Sequence, residues 1–142
     1  MYARVLNLNK KNINMTVSTS IEGSSYNSNV FGPALWFTLH NAASAYPDFP
    51  DANTKYAMKN MLISLPLLIP CLICKAHWRD NLKKFNLDVI VSSRSNLFNF
   101  LVIAHNNVNK LNNKREFSIN EAKEMYGYDR PEGSSIRINY YT

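Results

Sequence analysis

Cysteine is almost absent from this sequence: two in 142 residues, Cys71 and Cys74, with two positions between them. A small secreted fold stapled by disulfides is thereby excluded, because there is no second pair from which to build a framework. Glycine is scarce too, with four residues, and the net charge of +6 is spread along the chain without a basic cluster. That spread excludes a nucleic-acid-binding arm. The longest apolar run, Met61 to Cys74, is broken by Ser64, Pro66 and Pro70. It falls short of the ~20 residues of a membrane span and reads as a helix end followed by a turn. The opening Met1-Tyr2-Ala3-Arg4-Val5 meets Asn7, Asn9, Lys10, Lys11 and Asn12 before any apolar stretch develops, so no signal peptide is expected.

What is present suits one folded unit, with 46% hydrophobic and 18% charged residues in a chain of single-domain length. Residues 1–29, rich in Asn and Ser, read as a polar tail; residues 30–127 form the domain; residues 128–142, with Pro131 and Gly133, form a second tail. Apolar spacing within the domain is helical and never alternates as a strand would, which predicts an all-α bundle of four helices and a short fifth. The first helix is expected to start near Gly32-Pro33 and stop at Tyr46-Pro47, the second to run from Ala52 to the Pro66–Pro70 region, and the third to start at Cys71. Val89 to Ser95 reads as a connection. The fourth helix carries the stripe Leu97, Phe98, Leu101, Val102, Ala104, His105 and Val108. Ser118-x-x-Glu121 is a capping-box signal for the fifth, Ser118 to Tyr126.

The chemistry concentrates at Pro70-Cys71-Leu72-Ile73-Cys74. Residues three apart in a first helical turn share a face, so the two sulfurs can close into a disulfide and open again. Exposed backbone N–H groups at the helix start favour a thiolate and mark Cys71 as the exchanging sulfur. Three readings compete: inert buried cysteines, a zinc-stabilised non-enzymatic interaction module using Cys71, Cys74 and His77 with His40 or His105, and a thiol–disulfide site. A thioredoxin-like fold is disfavoured because the motif lies among helices. A helical dithiol oxidase must send two electrons to an acceptor that side chains cannot provide, so it requires a cofactor.

Three separated segments together resemble the FAD-linked sulfhydryl oxidases of the Erv/ALR family. They are Gly32-x-x-x-Trp36-x-x-x-His40 with Tyr46-Pro47, then Pro70-Cys71-x-x-Cys74-x-x-His77, then His105-Asn106-x-Val108-Asn109 followed by Lys114. The likeness runs from about Phe31 to Tyr126 and is strongest to short members encoded by large DNA viruses. It implies a four-helix bundle with a short fifth helix cupping FAD, and a flavoprotein enzyme that oxidises thiols, forms disulfides in protein substrates and passes electrons to oxygen, giving hydrogen peroxide. On the same ground Cys71 exchanges with substrate and Cys74 faces the flavin. Gly32, Trp36, His40, Leu67, Cys74, His77, His105, Asn106, Val108, Asn109, Lys114 and Tyr126 match cofactor-binding positions. Periodicity alone would place Trp36, His40 and His105 in the core.

Two departures from the family pattern matter. Pro33 stands where members carry a basic residue, a role that Lys110, Lys114 or Arg115 can fill. Both tails lack the shuttle cysteines of many members, so the expected electron donor is a separate dithiol protein, either thioredoxin-like or a CxC relay. The ladder Lys75, Arg79 and Lys83 reads as a solvated face or as a docking surface for an acidic partner. The likeness also implies a homodimer through the first helices, non-covalent here, with Phe37, Tyr46 or Met58 supplying an apolar patch. As to location, it implies infected-cell cytoplasm or the virion.

Overall fold

The computed structural model describes residues 27–130, so most of both expected tails lies outside the described residues. The order is α1 Ser28–Ser44, α2 Ala52–Ser64, a 3-10 turn Leu65–Leu67, α3 Leu72–Lys83, α4 Leu87–Ile90, α5 Arg94–Leu111 and α6 Ile119–Tyr126, with no strand among the described residues. The fold is all-α, with two differences from the expected boundaries. Helix α1 starts at Ser28, before Gly32-Pro33, because Asn27 caps it by accepting the Asn29 N–H at 2.9 Å. Lys114 also donates to the Asn29 side chain at 3.0 Å, tying this first turn to the far end of the fold. Pro33 therefore sits inside the helix, where its missing N–H withdraws one bond from the ladder. The second difference is α4, one turn capped by Asn86 that runs into the start of the expected Val89–Ser95 connection. Four residues are too few to display a period.

The other helix starts follow their local signals. Asp51 accepts from the Thr54 N–H at 2.7 Å and Ser93 from the Asn96 N–H at 3.2 Å, caps worth about 1 kcal/mol each. At α6 the capping box is complete: Ser118 Oγ accepts from the Glu121 N–H at 3.2 Å, and the Glu121 carboxylate accepts from the Ser118 N–H at 2.7 Å. That pairing and Arg115 hold the Glu121 carboxyl down at about 2. Gly127 ends α6 in the left-handed region, φ 66°, which only a residue without Cβ adopts freely.

Helix α5 is the centre of the bundle. Its Leu97, Phe98, Leu101, Val102 and Ala104 are buried against Leu39 and Ala43 of α1, Leu62 of α2, Ile90, Val91 and Ala122. Tyr46 is buried as well and donates its hydroxyl to the Val91 carbonyl at 3.0 Å, which ties the end of α1 to the residue that ends α4. This removes Tyr46 from the surface patch expected for a dimer, and Phe37 and Met58 are half-buried against the core. Trp78 of α3 donates its indole N–H to the Leu62 carbonyl at 2.8 Å, so α2 fixes the position of the helix that bears the cysteines. No helix among the described residues is long and apolar enough to cross a membrane.

Candidate functional site

A cavity of about 810 Å³ opens between α1, α3, α5 and the loop that joins α5 to α6. That size lies within the range of sites that enclose small molecules and cofactors. Helical spacing accounts for its walls. Helix α1 contributes Gly32, Trp36 and Leu39, α3 contributes Cys74, Trp78 and Asn81, and α5 contributes His105, Val108 and Asn109. Lys114, Arg115 and Phe117 come from the loop and Tyr126 from α6.

One wall is aromatic. Trp36 stacks on His105 with centroids 4.2 Å apart, Tyr126 stacks on His40 at 4.1 Å, and Phe117 meets His105 edge-on at 4.9 Å. His40 is fully buried and pairs its Nε2 with His105 Nδ1 at 3.2 Å, while its own Nδ1 has no partner. An orphaned acceptor costs less than an orphaned N–H, so His40 Nε2–H is the donor and Nδ1 is the bare nitrogen. His105 then carries its proton on Nε2, as an N–H donor in the cavity wall. Burial comes first in both shifts: with the adjacent His105 ring disfavouring a second charge it pushes His40 down to about 3, and with the Lys114 ammonium nearby it pushes His105 down to about 4. Both are neutral at ordinary pH. Burial also raises the Tyr126 phenol to about 12.

The asparagines of the His105-to-Asn109 segment hold the loop. Asn106 donates to the Phe117 carbonyl at 2.7 Å and accepts the Phe117 N–H at 3.1 Å, clasping that backbone from both sides. Asn109 donates to the Arg115 carbonyl at 3.2 Å, and its own carbonyl accepts the Lys114 N–H at 2.8 Å. Between them Asn113 takes a left-handed φ of 53°, a conformation asparagine tolerates. The loop thus delivers two cations, Lys114 and Arg115, and one aromatic ring to the cavity.

Cys71 and Cys74 form a disulfide with Cα atoms 5.2 Å apart. Cys71 is the N-cap of α3, its sulfur accepting the Cys74 N–H at 3.2 Å, and only Cys74 belongs to the cavity wall. Of the sequence-predicted residues, Gly32, Trp36, Cys74, His105, Val108, Asn109, Lys114 and Tyr126 converge on the cavity. His40 and Asn106 stand behind the wall, supporting His105 and Phe117. Leu67 is 82% exposed and off the wall; His77 is half-buried and off it too, offering its backbone carbonyl to Asn81. Lys110 is exposed and does not reach the cavity, whereas Arg115 does. Trp78, Asn81 and Phe117 were missed. The first two were readable, lying four and seven residues after Cys74 on one helix face. Among the described residues no three His, Cys, Asp or Glu side chains converge as a metal site, so the zinc reading has no ligand set.

The cavity fits a flat, partly anionic cofactor. Gly32 is buried, yet a Cβ built on it meets no atom within 4 Å, so that methyl would project into the cavity itself. A glycine here lets a ligand lie against the α1 backbone. Stacking rings, amide edges and two cations complete a donor set suited to aromatic ring systems joined by a pyrophosphate.

Comparison with known proteins gives the same direction. The model of the Erv1 / Alr family matches residues 33–127. A protein of Invertebrate iridescent virus 3, provisionally named an FAD-linked sulfhydryl oxidase, is 37% identical over 97 residues, covering 68% of this chain and 66% of the relative. The FAD-linked sulfhydryl oxidase of African swine fever virus (isolate Tick/Malawi/Lil 20-1/1983) is 34% identical, covering 68% of this chain and 79% of that protein. The crystal structure of the yeast Erv1 core superposes with a TM-score of 0.67 at 27% identity, over 74% of this chain and 87% of that one.

Proposed function

The chain belongs to the Erv1 / Alr family, and from that premise we propose that it is an FAD-dependent thiol oxidase that forms disulfide bonds in protein substrates, with residues 30–127 as the oxidase unit. The observation that carries this reading is the asymmetry of the pair: Cys74 lies in the cavity wall and Cys71 does not. A substrate thiolate attacks Cys71, forms a mixed disulfide and expels Cys74 as a thiolate facing the cavity. The Cys74 N–H that already touches Cys71 Sγ stabilises negative charge there when a second substrate thiol resolves the mixed disulfide and releases Cys71. The stacked Trp36–His105 pair would offer an aromatic face to a planar ring, Asn81 could hydrogen-bond the ring's polar edge, His105 Nε2–H could donate to another polar atom of the cofactor, and Lys114 and Arg115 would neutralise phosphate charge. Bound FAD supplies the two-electron relay from the reduced pair to oxygen, yielding hydrogen peroxide.

Cys71 and Cys74 are paired with each other, and the reading we favour has a separate dithiol protein, thioredoxin-like or a CxC relay, as electron donor and a homodimer without an intersubunit disulfide at these two cysteines. The viral relatives support a setting in infected-cell cytoplasm or the virion.

The test is the visible spectrum of the purified protein under anaerobic conditions. A flavin band should bleach with stoichiometric dithiol and return with air, and Cys74→Ser should keep the colour and lose turnover. Oxidase activity in Cys74→Ser, or a protein that stays colourless with added FAD, refutes the assignment.

A further inference from the structure

The surface around the disulfide is unusually apolar. Leu72 and Ile73, the two residues between the sulfurs, are 81% and 65% exposed, and Leu67 and Leu68, at the 3-10 turn packed on α3, are 82% and 76% exposed. Leu65, Pro66 and Ile69 of the same stretch are buried, so the core has taken its share of this segment and left four large aliphatic side chains outside. One exposed leucine is ordinary; four around a reacting sulfur are informative. Further along α3 come Lys75 and Arg79, neither with an ion-pair partner among the described residues, while the adjacent Asp80 is engaged by Lys83 at 3.1 Å.

We propose that this rim docks the substrate protein and selects a dithiol whose cysteines are flanked by bulky aliphatic or aromatic residues, with an acidic residue beyond them. The proposal deepens the thiol-oxidase reading and rests on it. The occupant is a substrate protein because the rim surrounds Cys71, the sulfur that lies outside the cavity wall and that a substrate thiolate must reach. It is not a second copy, because a two-fold contact through this rim would set Lys75 and Arg79 against themselves. In the docked complex the partner's first thiolate bonds to Cys71 Sγ as the Cys71–Cys74 bond breaks, and Cys74 leaves with the electron pair. The partner's second thiolate then bonds to its first sulfur and Cys71 leaves as thiolate. The partner loses two electrons, the Cys71–Cys74 pair gains them, and the two protons given up by the partner's thiols go to solvent or to the new thiolates.

The test uses the full FAD-loaded protein and two synthetic peptides containing Cys-x-x-Cys. One has Leu and Phe beside the cysteines and Asp beyond; the other has Ser and Lys in those places. Dithiothreitol is the reference substrate. The apolar, acidic peptide should show a kcat/KM at least about tenfold higher. Leu68→Ser/Leu72→Ser should bring the two peptides to within about threefold of each other while the dithiothreitol rate stays unchanged. Arg79→Glu should reduce the preference and its salt dependence. Equal rates for the two peptides with dithiothreitol turnover intact overturn the docking surface and spare the oxidase; occupation of the rim by the chain's own residues 1–26 would produce that same equality. A preference that survives in the double variant, or that fades as enzyme concentration rises and a second copy covers the rim, also overturns it. No turnover with any thiol overturns the reading beneath it.

Discussion

Gly32→Ala separates what the fold requires from what the cofactor requires. For the apo chain, alanine in a helix interior gains about 1 kcal/mol over glycine, part of which is lost because a Cβ before Pro33 adds a clash with the proline ring. With no atom within 4 Å of the new methyl, packing adds no penalty. Apo stability should therefore be unchanged or higher by up to about 1 kcal/mol, a shift of at most ~6 °C in Tm. The cavity feels the opposite. The methyl stands about 1.5 Å off the backbone, so a ring lying against α1 must retreat by a similar distance and lose its close contacts. Overpacking of this kind costs about 1–3 kcal/mol, or roughly 5- to 150-fold in FAD affinity. Flavin titration of the apo protein and thermal unfolding of the same sample measure both numbers. Unchanged FAD affinity would refute the placement of the ligand against Gly32, and apo destabilisation beyond about 2 kcal/mol would refute the open space.

Two further outcomes follow from the site. Asn106→Ala strips both bonds from the half-buried Phe117 backbone and should cost about 2–3 kcal/mol in urea unfolding, with weaker FAD binding as the loop loosens; Asn106→Asp keeps the acceptor for the Phe117 N–H and should cost less. His40 and His105 sit at about 3 and about 4, below the 6.5 of a free imidazole. The unfolded chain therefore takes up protons below pH 6.5 that the native one refuses, and stability falls as pH drops. Between pH 7 and 5, above the carboxylate range, the loss should be on the order of 2 kcal/mol per histidine; a urea midpoint independent of pH over that interval would contradict the buried neutral pair.

Sequence and structure agree most where the determinant is local. The α6 start is written in Ser118 and Glu121, and the α5 stripe in its own spacing. Helix α4 leaves no trace because one turn has no period, and α1 extends past Gly32-Pro33 because Asn27 and the distant Lys114 hold its first turn. The cavity walls on α1 and α5 are legible from spacing together with the family likeness. On α3, at about 100° per residue, Trp78 and Asn81 lie about 40° and 20° to either side of Cys74, while His77 is turned about 60° away and falls off the wall. Phe117 and Arg115 carry no such signal. Their places depend on Asn106 and Asn109 reaching across the loop, bonds that exist only after α5 and α6 have packed.

The cap that opens α3 has a thermodynamic consequence. Cys71 Sγ accepts the Cys74 N–H while both sulfurs are joined. When reduction releases Cys71 as a thiolate, that neutral acceptor becomes an anion, and a hydrogen bond to an anion exceeds the neutral one by about 1 kcal/mol. Helix α3 is thus better capped in the reduced protein than in the oxidised one, and any free energy that favours the dithiol raises the reduction potential of the pair, by ~20 mV for that amount. A residue that begins a helix is in this way also a bias on electron flow, pulling electrons out of substrates before any cofactor has received them.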